Sequence, residues 1–173
     1  LCRAENLVPG AQMDEPDDPK TTGATLSRWV VANRGDLRGP DGLPIWKPPY
    51  SRIIAIDMHS GEFLWETPNG DTPRHIREHP RLQGLTIPPT GQMVHGVTMP
   101  TRTLLLTAPG GDPVLYALDK RTGQRLGTVR LPAPGQYGMM GYFHAGRQYV
   151  VVQVASGTMP GSLVALRLPL GGA

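Results

Sequence analysis

A seven-residue turn motif that occurs twice places the strongest constraint on how this chain can fold. The motif reads Ala-x-Asp-x-x-Ser/Thr-Gly and covers residues 55–61 and 117–123. Its Asp and Ser/Thr side chains can accept hydrogen bonds from the backbone N–H groups of a turn, and its glycine tolerates a positive φ. Apolar residues precede both copies. The motif therefore predicts two β-hairpins of the same design.

These hairpins need neighbours of the same kind in order to be stable. Trp65 follows the first copy, and an isolated hairpin cannot bury so large a side chain. Gly127 stands at the equivalent position after the second copy, and a weaker third copy covers residues 162–168, with Arg167 in place of the Asp. Such self-similarity is typical of propellers and solenoids, whereas a single turn of this type occurs in many β proteins.

Apolar alternation and turn signals predict strands in three groups: a hairpin, a four-stranded unit, and a final unit that has no outer strand. The predicted strands are 52–57 and 62–68, then 94–101, 103–108, 114–119 and 125–131, then 139–144, 148–155 and 163–168. An insertion after the hairpin predicts a short helix over 72–79, with Thr72 as its N-cap and Pro80 at its end.

The length of 173 residues fits two to three propeller blades, because one blade takes on the order of 40–45 residues. Closed propellers have about 4–8 blades. We therefore expect one part of a longer polypeptide. Residues 1–41, rich in Pro, Gly and charge, are predicted to form a poorly ordered loop or blade excursion, and residues 42–173 the blades, which the resemblance described below places at the C-terminal end of the propeller.

The charge pattern argues against one class of protein, whereas the cysteine content decides nothing about class. The net charge is +3, and the arginines are scattered along the chain rather than gathered in a stripe with aromatic residues, which argues against nucleic-acid binding. Cys2 is the only cysteine, so no intrachain disulfide can form.

Several segments resemble the pyrroloquinoline quinone (PQQ) dehydrogenases, or quinoproteins, which are β-propellers. The hairpin motif together with its Trp, residues 55–65, is similar to the docking motif of that family. Residues 42–57, 65–73 and 146–152 resemble the branch that contains the membrane-bound glucose and quinate dehydrogenases. The resemblance implies an all-β fold, namely the last two to three blades of an eight-bladed quinoprotein-type propeller with four-stranded antiparallel blades.

The resemblance also implies an activity for the full-length parent. That parent would oxidise a hydroxyl group of an alcohol or sugar and pass electrons to PQQ, with Ca²⁺ polarising the quinone and an Asp acting as base. The motifs for the base and the metal ligands belong to earlier blades. We therefore expect no catalytic or metal-binding residue in this chain, and no activity from it alone.

The partners implied by the resemblance are the remaining blades of the propeller, a small alcohol or sugar substrate, and a quinone or cytochrome electron acceptor. No nucleic-acid partner is expected. The family places such a protein in the periplasm, or on a membrane facing it.

Six residues are candidates for contact with PQQ. His95, Gly96 and Thr98 lie in a predicted inner strand, and the resemblance aligns them with a Trp-Gly-Gly-Thr-Met segment whose Trp edges the quinone in related alcohol dehydrogenases. His95 replaces that Trp. Ser156 and Gly157 lie between strands of the last unit, and Lys47 lies on a Pro-rich loop, where a cation suits a cofactor with three carboxylates.

Three alternatives stay open. His75 and His79 stand four residues apart on the predicted helix, a spacing that can bind zinc, although Arg77 between them would repel a cation. The repeats also occur in non-catalytic propeller scaffolds of outer-membrane assembly. The third alternative is the product of a decayed gene, because Gly127 stands where the motif would have a Trp.

Overall fold

The computed structural model describes residues 7–9, 29–31 and 38–168 of the chain, which divides into two compact units, Leu1–Trp46 and Lys47–Ala173. In the first unit, β1 (Leu7–Pro9) pairs antiparallel with β2 (Trp29–Val31). A single bridge joins Arg38 to Pro44. Most of the predicted excursion over residues 1–41 lies outside the described residues.

The second unit contains three antiparallel sheets that follow one another along the chain, as the sequence predicts. They have two, four and three strands, each paired with its neighbour in sequence. The strands are β3 (Arg52–Ile56) and β4 (Phe63–Pro68), then β5 (Val97–Pro100), β6 (Leu104–Ala108), β7 (Val114–Asp119) and β8 (Arg125–Arg130), then β9 (Gly135–His144), β10 (Arg147–Ser156) and β11 (Met159–Arg167).

The two Asp turns are built alike. Asp57 Oδ1 accepts hydrogen bonds from the N–H groups of His59 and Ser60, at 2.7 and 3.1 Å. Asp119 Oδ1 accepts the corresponding bonds at the same two distances, and the glycine that closes each turn has a φ near +75°. The two bonds lower the pKa of Asp57 below its ordinary value. Both acidic residues therefore have the structural role that the motif predicts.

Trp65 joins the first sheet to the second. Its indole N–H donates a 3.1 Å hydrogen bond to the backbone carbonyl of Lys120, which lies in the turn between β7 and β8. The ring also lies against Gly123, where an added Cβ would come within 2.6 Å of it. The predicted docking of Trp65 on the neighbouring sheet is therefore confirmed, with a side chain that is half-buried.

The hydrophobic core lies between the four-stranded and three-stranded sheets. Its buried members come from both sheets and from the segment between β8 and β9: Ala108, Leu115, Leu131, Ala133, Val152 and Val154. The first strands of these sheets, β5 and β9, approach within 8 Å between Cα atoms. Side-by-side first strands are what blades around a common channel require.

The insertion between the first two sheets differs from prediction at its start. A single helical turn, α1, runs from Arg74 to Arg77. Thr72 does not cap it, because its hydroxyl is buried and donates to the carbonyl of Pro88 at 2.9 Å. Pro80 begins a short 3₁₀ turn instead of directly following the helix.

Candidate functional site

The predicted cofactor strand is shorter than the sequence suggests. β5 begins at Val97, so His95 and Gly96 lie in the preceding loop and only Thr98 lies in the strand. His95 and Thr98 are both exposed. The prediction of an inner strand through residue 95 was wrong, and the backbone around Gly96 supplies the reason.

Glycines hold the His95 segment closely against the next strand. A Cβ at Gly96 would meet the carbonyl oxygen of Ala108 at 2.7 Å and the side-chain nitrogen of Asn69 at 2.9 Å. Gly110 has a φ of +88°, and a Cβ there would collide with the carbonyl of His95. The pairing of β5 with β6 ends at Val97 and Ala108, and the backbone of His95 beyond it packs closely against Gly110 while its side chain remains exposed.

Ser156 and Gly157 form the tip of the hairpin between β10 and β11. The hydroxyl oxygen of Ser156 accepts hydrogen bonds from the N–H groups of Thr158 and Met159, at 3.3 and 3.1 Å. Both Ser156 and Gly157 are exposed. The hydroxyl thus stabilises its own turn.

Lys47 is exposed and begins the second unit. The peptide bond between Pro48 and Pro49 is cis. A hydrogen bond links this loop to the insertion between β4 and β5: the N–H of Tyr50 donates to the carbonyl of Thr90 at 2.7 Å.

The six candidate residues line none of three clefts in the described part of the second unit. Clefts of about 520, 670 and 470 Å³ in the second unit are lined by residues outside the set of six. The structure therefore places the candidates in three separate exposed groups, at the start of β5, at the hairpin between β10 and β11, and on the loop of Lys47.

A buried polar network around Asn69 is the feature that sequence reasoning missed. The side-chain oxygen of Asn69 accepts a 2.9 Å hydrogen bond from the buried hydroxyl of Thr107. Its carbonyl accepts from the N–H of Gln92, whose buried side chain donates to the carbonyl of Asp71 and to the carboxylate of Asp112, at 3.0 and 2.8 Å. The run Asn-Gly-Asp at 69–71 gives no local sign of this network, because the partners of its side chains and carbonyls lie 18 to 54 residues away.

Asp71 links the exit from the first sheet to the second sheet. Its carboxylate accepts hydrogen bonds from the Tyr116 hydroxyl at 3.1 Å and the Arg125 guanidinium at 2.9 Å, and that guanidinium stacks 3.8 Å from the Tyr116 ring centroid. Partial burial raises the pKa of Asp71, but the hydrogen bond and charge of Arg125, with smaller effects from Tyr116 and Arg77, leave it below its ordinary value. Burial, helped by the Asp71 charge, raises the pKa of Tyr116 to about 12. Asp71, Tyr116 and Arg125 thus form a polar cluster that links the exit of the first sheet to the second sheet.

The two histidines of the insertion have different surroundings. His79 Nδ1 accepts a hydrogen bond from the N–H of Arg81 at 3.3 Å, and His75 is exposed. Among the described residues no group of three or more His, Cys, Asp or Glu side chains could hold a metal ion. Nor does any helix in the described ranges have the length and hydropathy needed to span a membrane.

Comparison with known proteins identifies relatives of one kind. The chain is 30% identical over 174 aligned residues to the quinoprotein glucose dehydrogenase of Escherichia coli, which covers 93% of this chain and 22% of that protein. It is 35% identical to a probable quinate dehydrogenase (quinone) of Xanthomonas campestris pv. juglandis, over 70% of this chain and 16% of that protein. A glycerol dehydrogenase large subunit of Gluconobacter oxydans is 30% identical over 64% of this chain. The chain thus spans about a fifth of the length of the relatives it matches.

A family model confirms the same assignment over most of the chain. The PQQ glucose/ethanol/alcohol dehydrogenase β-propeller domain matches residues 4–150. Together with the three successive antiparallel sheets, this match confirms the predicted all-β, partial propeller and favours a dehydrogenase over a non-catalytic scaffold. The chain belongs to the PQQ β-propeller family of glucose, ethanol and alcohol dehydrogenases.

Proposed function

We propose that residues 42–173 form the last blades of a PQQ-dependent dehydrogenase that oxidises a hydroxyl group of a small alcohol or sugar, with residues 1–41 as an excursion from them. The observation that carries the proposal is the family match over residues 4–150. The adjacent first strands β5 and β9 support it, because first strands border the channel at whose end a propeller binds its ligand.

The exposed candidates suit one wall of a PQQ pocket. His95 and Thr98 offer polar groups near the start of β5, and Lys47 offers a cation for a cofactor carboxylate. A Cβ at Gly157 would meet no atom within 4 Å, so the backbone there leaves room for close approach of a planar ring, whereas Gly96 holds the His95 segment against β6. When bound, PQQ supplies the acceptor for a hydride equivalent, and the residues named here would hold and orient it.

The rest of the site would come from outside these residues. We assign the general base and the ligands of the Ca²⁺ ion to other blades of the same polypeptide. The electron acceptor would be a quinone or a cytochrome, and the protein would act in the periplasm or on a membrane facing it.

A chimera tests the proposal most sharply. This chain replaces the aligned segment of 174 residues in the E. coli quinoprotein glucose dehydrogenase, and PQQ-dependent reduction of a dye by glucose is measured. We expect measurable turnover, and a raised Kd for PQQ in the same chimera with His95→Ala. A folded chimera that binds no PQQ would contradict the proposal.

The chain by itself is the companion experiment. Mixed with PQQ, Ca²⁺, glucose or ethanol and a dye, it should reduce no dye, because three open sheets cannot enclose the roughly 70–90% of ligand surface that pockets usually bury. PQQ-dependent dye reduction that survives further purification would show a complete site within these residues.

A further inference from the structure

An apolar groove lies between the second and third sheets, at a place that the repeat assigns to a tryptophan. The groove has a volume of about 470 Å³, within the range of about 300–1,000 Å³ that is usual for small-molecule sites. Its floor includes Leu106, Ala117 and Val129 of the second sheet and Val150 and Leu166 of the third.

Gly127 lies beside this groove, because its partner Ala117 and its neighbour Val129 both line it. Trp65 pairs across its hairpin with Ala55, and Gly127 pairs in the same way with Ala117. Residues two apart in a strand share a face, so a side chain at 127 would lie on the face that carries Val129. A Cβ added at Gly127 meets no atom within 4 Å. The position is therefore open on the side facing the groove.

The far wall of the groove matches the partner that Trp65 uses. Trp65 donates its indole N–H to the carbonyl of Lys120, three residues after Ala117 in the second repeat. In the third repeat the equivalent residue is Leu168, three residues after Ala165, and Leu168 lines the groove. The groove therefore lies next to the position at which the repeat would place an indole, and one of its walls contains the residue equivalent to the hydrogen-bond acceptor of Trp65.

The two arginines at the rim of the groove favour a negatively charged ligand. Arg102 and Arg167 line the groove, and no Asp or Glu does. Both arginines are exposed, and in the described part of the chain neither guanidinium is engaged in an ion pair. Two cations above an apolar floor complement a flat apolar group that carries a carboxylate.

We propose that this groove binds a small planar aromatic carboxylate, whose ring takes the place that a tryptophan side chain occupies in the preceding repeat. The site is separate from the proposed cofactor wall, whose six residues do not line it. It is therefore independent of the proposed function.

The test is a titration of the full 173-residue chain with 2-naphthoate, with 2-naphthalenemethanol as the neutral control, followed by calorimetry and amide chemical shifts. We expect naphthoate to bind at least about tenfold more tightly, with shifts at Gly127, Val129 and Leu166. The double variant Arg102→Gln, Arg167→Gln should lose this preference and still bind the alcohol. Equal affinity for the two compounds, or shifts that fall outside the groove, would overturn the proposal.

Filling the groove supplies the second arm. Gly127→Trp should abolish naphthoate binding and raise the melting temperature by about 2–4 °C. Gly161→Trp is the matched control, since a Cβ there also meets open space, and it should bind naphthoate as before. A folded Gly127→Trp chain that binds naphthoate normally would refute the site. If that variant does not fold, the arginine variant and the shift map decide.

Discussion

The indole nitrogen of Trp65 lies 3.1 Å from the backbone oxygen of Lys120, 55 residues further along the chain. This hydrogen bond joins the edge of the first sheet to a turn of the second. Since the ring also covers Gly123, one side chain supplies both an apolar contact and a directional bond at the boundary between two blades.

Trp65→Ala should lower the free energy of unfolding by about 2–3 kcal/mol, somewhat less than the ~3–5 kcal/mol typical of a fully buried aromatic, because the ring is half-buried. Trp65→Phe is the control, because it keeps part of the apolar contact and loses the hydrogen bond, and it should cost roughly half as much. Urea unfolding measures both. An alanine variant as stable as the parent would contradict the docking role.

Gly123→Ala should be more damaging than Gly61→Ala, although the two glycines close equivalent turns. Both have φ near +75°, so each alanine carries about 1–2 kcal/mol of backbone strain. At Gly123 the new Cβ also meets the Trp65 ring at 2.6 Å, whereas at Gly61 it meets nothing within 4 Å. Overpacking adds about 1–3 kcal/mol. Equal losses in the two variants would show that the ring moves aside freely.

Asp119→Ala should destabilise the turn without affecting chemistry. Two backbone N–H groups lose their acceptor, at a cost of about 1–2 kcal/mol, and Asp119→Asn should retain most of the stability. In the glucose dehydrogenase chimera, the turnover of the folded variant should fall less than about tenfold. A loss of about a hundredfold or more, the range of a general base, would make Asp119 catalytic.

Acid should weaken the polar cluster of Asp71, Tyr116 and Arg125 by protonating Asp71. Its pKa is lower in the folded chain than in the unfolded one, so its contribution is present above about pH 4 and is lost as the pH falls through the folded value. Urea midpoints measured between neutral pH and pH 3 should therefore drop more steeply for the parent than for Asp71→Asn. Parallel pH profiles would refute this role for the carboxylate.

Alkali should weaken the same polar cluster by deprotonating Tyr116. The phenol has a pKa of about 12 when folded against about 10 when unfolded, so its contribution is complete below pH 10 and disappears as the pH rises towards 12. Tyr116→Phe should remove this part of the alkaline loss of stability. Tyrosinate absorbance in the parent should show one phenol that titrates late, and its absence would count against the buried hydrogen bond.

Local interactions explain what was predictable from the sequence. The turns at Asp57 and Asp119 depend on residues two and three positions away, and the strand Val114–Asp119 has the predicted bounds. The repeat also indicated that Trp65 would dock on a neighbouring unit. These features follow from short-range hydrogen bonding and strand alternation, which are visible in consecutive residues.

Contacts between distant segments decided the rest. The strand β5 begins at Val97, and the backbone before it packs closely against Ala108 and Gly110, which lie 12 and 14 residues beyond Gly96. Thr72 donates to Pro88 instead of capping a helix, and Asp71 meets Tyr116 and Arg125 across 45 and 54 residues. The sequence alone determined the type of unit and its repetition. Only the packing of one sheet against the next determined the polar cluster of Asp71, Tyr116 and Arg125 and the groove beside Gly127, because both depend on which side chains two separate sheets bring together.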